Sequence, residues 1–305
     1  MDNTVLDQPI IAPLREKGHP KGLYVLFATE MWERFNYYGM RAVLVLFMIK
    51  ALSFDKVFAS NLYGSYTSLA YLTSLVGGYF ADRYWGNKRS IIAGGLVMAF
   101  GEFLLFFCGT LYHSSPGISS GLFYSGLGFV IAGFGFFKPN ISSLVGQLYP
   151  KNDRRKDSAY TIFYMGINVG AGLGPLVCGY FGDTGNPADF KWAFLAAGIG
   201  MLISVVVQTI FQTKYVVDPQ GKPLGETPSQ SHTLLNDEGK VVKDSVVSKN
   251  WLNPFLMTIG LIVFSLIATG LLYIDARVFS YLSILLAACV VYIALFLFLN
   301  KGLTS

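Results

Sequence analysis

Glu30, Glu33, Arg34, Tyr37, Tyr38 and Arg41 fall at i, i+3, i+4, i+7, i+8 and i+11 within residues 23–49, an otherwise largely apolar run. At 3.6 residues per turn these positions form one stripe of one helix. The run is long enough to cross a bilayer, and each ionised group at a bilayer centre costs about 2.5–3.5 kcal/mol on insertion scales. The stripe therefore cannot face lipid. It requires a water-filled cavity or charged partners on neighbouring helices, and its chemistry is the handling of an ion or solute.

Further polar side chains stand in other apolar runs. Lys138 lies in Phe136-Phe137-Lys138-Pro139-Asn140, roughly 15 Å from the end of its run near Tyr149 at the helical rise. That is a long way to snorkel to an interface, so Lys138 needs a carboxylate nearby or must lose its proton, and Glu30 and Glu33 are the obvious partners. Asn168, in Phe163-Tyr164-Met165-Gly166-Ile167-Asn168, must bond either a neighbouring helix or a ligand, and Tyr71 is equally open. Asp82 and Arg83 sit in a short loop, Gly77-Gly78-Tyr79-Phe80-Ala81-Asp82-Arg83-Tyr84-Trp85-Gly86, that could pin adjacent helix ends in one conformation. Glu102 has no charged companion on its own helix and reads as an interhelical contact.

The elements that must position these groups follow from composition. The chain has 305 residues, 53% hydrophobic and 13% charged, with a mean hydropathy of +0.48. That is the profile of an all-α polytopic membrane protein. Apolar runs at 23–49, 58–81, 90–111, 120–148, 159–182, 191–213, 253–273 and 279–300 predict eight spans, the last two divided only by Asp275 and Arg277. The first run is too long for a signal-peptide core, so it is expected to remain a span.

With the N-terminus in the cytoplasm, sixteen of the 23 Lys and Arg residues fall on the cytoplasmic side and only Lys50, Lys56, Lys191 and Arg277 on the other. This bias predicts both ends inside. The net charge of +5 is then a matter of topology and anionic headgroups, with the lipid bilayer as partner and no nucleic acid. The expected organisation is a cytoplasmic segment 1–22, a six-helix bundle 23–213, a Gly-, Pro-, Ser- and Lys-rich linker 214–250, and two additional helices in 251–305. Glycines at helix-crossing spacings, as in Gly166 to Gly174, predict close packing. Cys108, Cys178 and Cys289 lie within spans without metal-ligand spacing and read as packing residues, so no metal is expected.

Taken together, Glu30-x-x-Glu33-Arg34-Phe35 with Tyr37-Tyr38-Gly39-Met40-Arg41, the Gly77-to-Arg83 loop, Lys138-Pro139-Asn140-Ile141-Ser142 and Phe163-to-Asn168 resemble the proton-dependent oligopeptide transporter family of the major facilitator superfamily. The resemblance implies the N-terminal six-helix bundle of a major facilitator fold followed by two additional transmembrane helices. It implies symport of di- and tripeptides with protons across the cytoplasmic membrane, with protons as coupling ion and no other cofactor. Glu30, Glu33 and Arg34 would form the proton-coupling cluster with Lys138 as its charge partner. Arg41 and Lys138 would meet the peptide carboxylate, and Tyr37, Tyr38, Tyr71 and Asn168 would line the peptide site. A second six-helix bundle, the family's other half, is expected as the partner needed to complete the site and the rocking cycle.

Two other readings compete. One keeps the fold and changes the solute to nitrate or another small anion; the complete Glu-x-x-Glu-Arg motif favours peptide. The other is a membrane scaffold or peptide-binding receptor that does not translocate. No His-Glu-x-x-His, Gly-x-Ser-x-Gly or phosphate-cradling loop occurs, so an enzyme is not expected.

Overall fold

The computed structural model describes residues 18–150, 152–226, 233–235, 241–243 and 254–274, with side chains in the last segment from Thr258. The apolar runs fold as helices α1 (Lys21–Lys50), α2 (Lys56–Phe80), α3 (Asn87–Leu111), α4 (Pro116–Gln147), α5 (Arg155–Gly182), α6 (Phe190–Tyr215) and α7 (Pro254–Ile274). The run expected at 279–300, with Cys289, lies outside the described residues. Among the described residues four stretches, namely α3, α4, α5 and 187–215, are long and apolar enough to cross a membrane by length and composition. The charges of α1 and the Ser, Thr, Tyr and Gly residues of α2 dilute their hydropathy. The protein is a multi-pass membrane protein.

Local signals set the helix ends. The Asp55 carboxylate caps α2 by accepting from the amides of Val57, at 2.8 Å, and Phe58, at 3.3 Å. Pro116 opens α4, where its missing N–H costs nothing. Pro139 lies inside α4, which nevertheless continues to Gln147. Asp82 and Arg83 fall in a π-helical turn, Ala81–Trp85, that ends at Gly86. Gly86 takes φ +76°, which suits glycine, and a Cβ there would stand 2.6 Å from the Glu226 carbonyl.

Helix α1 packs along α5 and α6, α3 along α4 and α6, and α2 and α7 against α4. One close crossing places Gly166, Gly170 and Gly174 of α5 against the backbone of α1 at Phe27, Met31 and Phe35. Such i, i+4 glycines let two membrane helices approach to backbone contact. A methyl at position 170 would lie 2.8 Å from Arg34 Cβ and 2.9 Å from the Phe35 amide, with nothing flexible to yield. Gly170→Ala is therefore expected to destabilise the chain by about 1–3 kcal/mol. Gly172→Ala, with open space around it, should leave the melting midpoint level or raised. Equal melting midpoints for the two variants would contradict the crossing.

One end of the bundle is closed by the chain leaving α6. Residues 216–224 double back as a tight turn in which the Leu224 amide donates to the Val216 carbonyl at 2.9 Å and the Asp218 amide to the Lys222 carbonyl at 2.8 Å. The Gly225 carbonyl then accepts from the Lys88 amide at 2.9 Å. Lys88 Nζ donates to Thr213 at 2.9 Å and pairs with Glu226 at 3.2 Å. The segment read as linker from residue 214 thus begins inside α6 and stays on the bundle through Glu226. Further on, Thr233–Leu235 and Val241–Lys243 pair as a short antiparallel hairpin that the polar composition did not announce.

At the same end Arg155 donates to the Gly18 carbonyl and pairs with Asp153 at 2.7 Å. Those side-chain hydrogen bonds hold the Asp153 carboxyl below its usual range. The brace is accordingly intact at neutral pH and weakens only as pH falls through that lowered value.

Candidate functional site

The stripe on α1 turns inward. Glu30 and Glu33 are fully buried and Arg34 is 3% exposed. Arg34 grips Glu33 in a fork, Nε donating to Oε2 at 2.5 Å and Nη2 to Oε1 at 2.8 Å. Its Nε also stands 3.2 Å from Glu30 Oε1, one turn earlier. Lys138, reaching across from α4, donates to the same Glu30 oxygen. Two carboxylates, a guanidinium and an ammonium thus form a quartet with no net charge, which is how four ionised groups persist in a low-dielectric interior. Glu30 Oε2 has no partner among the described residues.

Glu30 is shared by two cations that arrive from two helices, while Glu33 has one. A proton delivered to either carboxylate removes one negative charge and leaves Arg34 or Lys138 short of a partner. Lys138 is 23% exposed, so its side of the quartet reaches solvent.

Aromatic rings line the outer side of this cluster. Arg34 lies 5.0 Å from the Tyr37 ring centroid, 5.4 Å from Phe134 and 5.9 Å from Tyr38. Tyr37 stacks on Phe134 at 5.0 Å, and Tyr71 meets the edge of the same ring at 5.7 Å. Cation–π contacts of this kind favour holding Arg34 charged and in place.

Two turns beyond Arg34, Arg41 is held differently. Its Nε and Nη2 donate to the Tyr63 hydroxyl at 2.8 and 2.5 Å, and Nη1 to Tyr37 at 3.3 Å. Among the described residues no carboxylate pairs with it. Arg41 thus presents an uncompensated positive charge on an aromatic-lined wall, which suits an anionic group arriving from outside the chain.

The structure therefore brings Glu30, Glu33, Arg34, Tyr37, Tyr38, Arg41, Tyr71 and Lys138 into one connected site. It does not bring in Asn168, whose side chain is exposed on α5 and whose amide donates to the Tyr164 carbonyl of its own helix at 3.1 Å. Asp82 and Arg83 are exposed and make no hydrogen bond or ion pair among the described residues; the loop is fastened by Gly86 and Lys88. Glu102 does make the expected interhelical contact, through Asn36 at 3.1 Å, but only with one oxygen.

Two participants escaped the sequence reading. Tyr63 shares a stripe with Tyr66 and Tyr71 at i, i+3 and i+8, a signal that was present. Phe134 lies one turn before Lys138 on α4 and so shares its face. Among the described residues no cluster of metal-ligating side chains occurs.

Comparison with known proteins gives a consistent result. A family model described as "POT family" (PTR2) matches residues 88–300. An uncharacterized transporter, YclF, of Bacillus subtilis (strain 168) is 41% identical over 216 residues, covering 68% of this chain and 42% of that protein. A di-/tripeptide transporter of Lactococcus lactis subsp. lactis (strain IL1403) is 39% identical over 195 residues, covering 62% of this chain and 37% of that one. The chain thus spans about two fifths of the length of these curated relatives. Among solved structures, a peptide transporter POT in complex with sulfate superposes with a TM-score of 0.61 at 37% identity, over 72% of this chain and 43% of that one. A POT family transporter in complex with 5-aminolevulinic acid gives 0.64 at 32% identity, over 95% and 54%.

Proposed function

This chain belongs to the POT family, and from that premise we propose that its helical bundle serves proton-coupled symport of di- and tripeptides across the cytoplasmic membrane. The observation that carries the proposal is the quartet of Glu30, Glu33, Arg34 and Lys138 beside an Arg41 that has no carboxylate partner among the described residues. Protons would load the carboxylates, with no other cofactor, and the peptide carboxylate would meet Arg41 and, once Glu30 is protonated, the released Lys138. Tyr37, Tyr38 and Tyr71 would line the peptide site. Asn168, exposed on α5, would also meet the peptide, and the loop of Asp82 and Arg83 would act in switching.

Peptides vary in their side chains but always offer a carboxylate and backbone amides, and cations with phenol groups match that constant part. Coupling follows if the proton and the peptide each weaken the Glu30–Lys138 pair, since both then favour the same rearranged state. The six helices α1–α6 would work as one half of the transporter against a second bundle, with the N-terminus in the cytoplasm as the charge bias supports.

The direct test is uptake of labelled dipeptide into proteoliposomes by a full-length transporter carrying this bundle. Accumulation only with an inward proton gradient supports the reading; gradient-independent binding without accumulation would favour a receptor. Arg41→Gln tests the carboxylate contact. The KM for a free dipeptide should rise about tenfold, the loss of one charge-assisted contact. The KM for the same peptide with an amidated C-terminus should hardly move, and a parallel rise in both would remove Arg41 from carboxylate recognition.

A further inference from the structure

The quartet does not account for every buried acid in the bundle. Glu102, on α3, is fully buried, and no cation among the described residues reaches it. Its Oε1 accepts from Asn36 Nδ2 at 3.1 Å, and the same amide nitrogen donates to the Ala197 carbonyl at 3.0 Å. Asn36 thereby joins α1, α3 and α6 at a single side chain, three residues beyond Glu33.

The surroundings of Glu102 can be read helix by helix. From α1 it meets Asn36 and from α6 the backbone at Gly198, while the Tyr66 hydroxyl of α2 and the Cys178 thiol of α5 lie within electrostatic range without bonding to it. Helix α4 faces the preceding turn of α3 with Gly126 and Val130, which do not titrate. None of these groups carries a positive charge. An ionised carboxylate in that setting has one amide donor to offset the loss of its entire hydration, and one such bond falls well short.

Three buried atoms here also lack hydrogen-bond partners among the described residues: Glu102 Oε2, Asn36 Oδ1 and the Tyr66 hydroxyl. With Glu102 ionised, both Oε2 and Asn36 Oδ1 are acceptors in need of a donor. A proton on Oε2 converts one of those acceptors into a donor and removes the unpaired charge in the same step.

We propose that Glu102 carries a resident proton and acts, as a neutral carboxylic acid, as a positioning residue that fixes Asn36 and the α1 turn behind Glu33. Neutrality has a purpose at this place. With no cation in reach, an anion here would be an uncompensated charge inside the bundle, whereas a neutral acid supplies the same geometry without that charge.

The test is infrared difference spectroscopy of the 305-residue chain in lipid nanodiscs, wild type against Glu102→Gln, from pH about 5 to about 9, a range in which ordinary carboxylates are ionised at the upper end. The expected result is a protonated-carboxyl carbonyl band, shifted by deuterium, that the variant lacks and that persists across the whole range. Disappearance of that band at neutral pH, or its absence from the wild type, overturns the proposal. Should Glu102→Gln fail to fold, Glu102→Asp supplies the spectrum instead, because it retains the acid and displaces the band. The positioning role has its own readout. Glu102→Gln, which keeps a neutral donor and acceptor, should melt close to the wild type, and Glu102→Leu well below it; equal losses in the two would show that Asn36 does not depend on a neutral hydrogen-bonding group at position 102. Neither measurement involves peptide or a gradient, so neither depends on the transport reading.

Discussion

Glu33→Gln, placed in a full-length transporter that carries this bundle, is expected to abolish proton-driven accumulation of dipeptide and to spare most counterflow exchange. Glu33 is fully buried with both carboxylate oxygens in the Arg34 fork. An amide there still accepts from the guanidinium, so the shape of the site survives, but no proton can be taken up or released at that position. Accumulation against a gradient needs the protonated and ionised states to alternate, while exchange of labelled for unlabelled peptide needs only the binding and rocking steps. The measurement is uphill uptake beside counterflow in the same vesicles. Equal losses in both would remove Glu33 from coupling and leave it a structural role.

The largest expected effect on folding comes from the other side of that fork. Arg34→Met removes the guanidinium that serves both Glu30 and Glu33, and leaves Lys138 as the remaining cation for two buried carboxylates. Breaking a buried ion pair at one partner typically costs about 3–5 kcal/mol, because the surviving charge stays in a medium that does not solvate it. The melting midpoint of the single variant should therefore fall steeply. The double variant Glu33→Gln, Arg34→Met removes one charge of each sign and leaves Glu30 with Lys138, so it should recover much of the loss. This non-additivity is the signature of a charge-balance mechanism. A double variant no more stable than the single one would mean that packing of the Arg34 stem against Tyr37 and Phe134, and not charge, holds this turn.

Much of this architecture was legible beforehand. The six apolar runs before the polar segment, and the one from 253, each became a helix within a few residues of the expected bounds, because a membrane demands a minimum length of satisfied backbone and the sequence cannot hide it. The quartet was legible for the same reason: charges in an apolar run must be paired, and Glu30, Glu33, Arg34 and Lys138 had few other choices. Tyr63 and Phe134 were harder to see, since an aromatic residue in a membrane helix is unremarkable until the helix facing it is known. Asn168 shows the opposite case, in which a polar residue in an apolar run bonds its own helix and leaves its side chain on an open face. The fastening of residues 216–226 was illegible because polar, turn-rich composition looks the same whether the turn floats or docks. What decides it is Gly86, where only a bare backbone lets the returning chain approach.

That docking redraws the bundle as a part for assembly. The fastened chain runs on to Glu226 and does not stop where α6 ends, since Gly225 and Glu226 hold Lys88, and Gln212 donates to the Leu224 carbonyl at 3.4 Å. A chimera or split protein joined directly after Tyr215 would strip the α2–α3 turn of its fastening even though every helix remained intact. A junction placed after residue 226 would carry that fastening into its new setting.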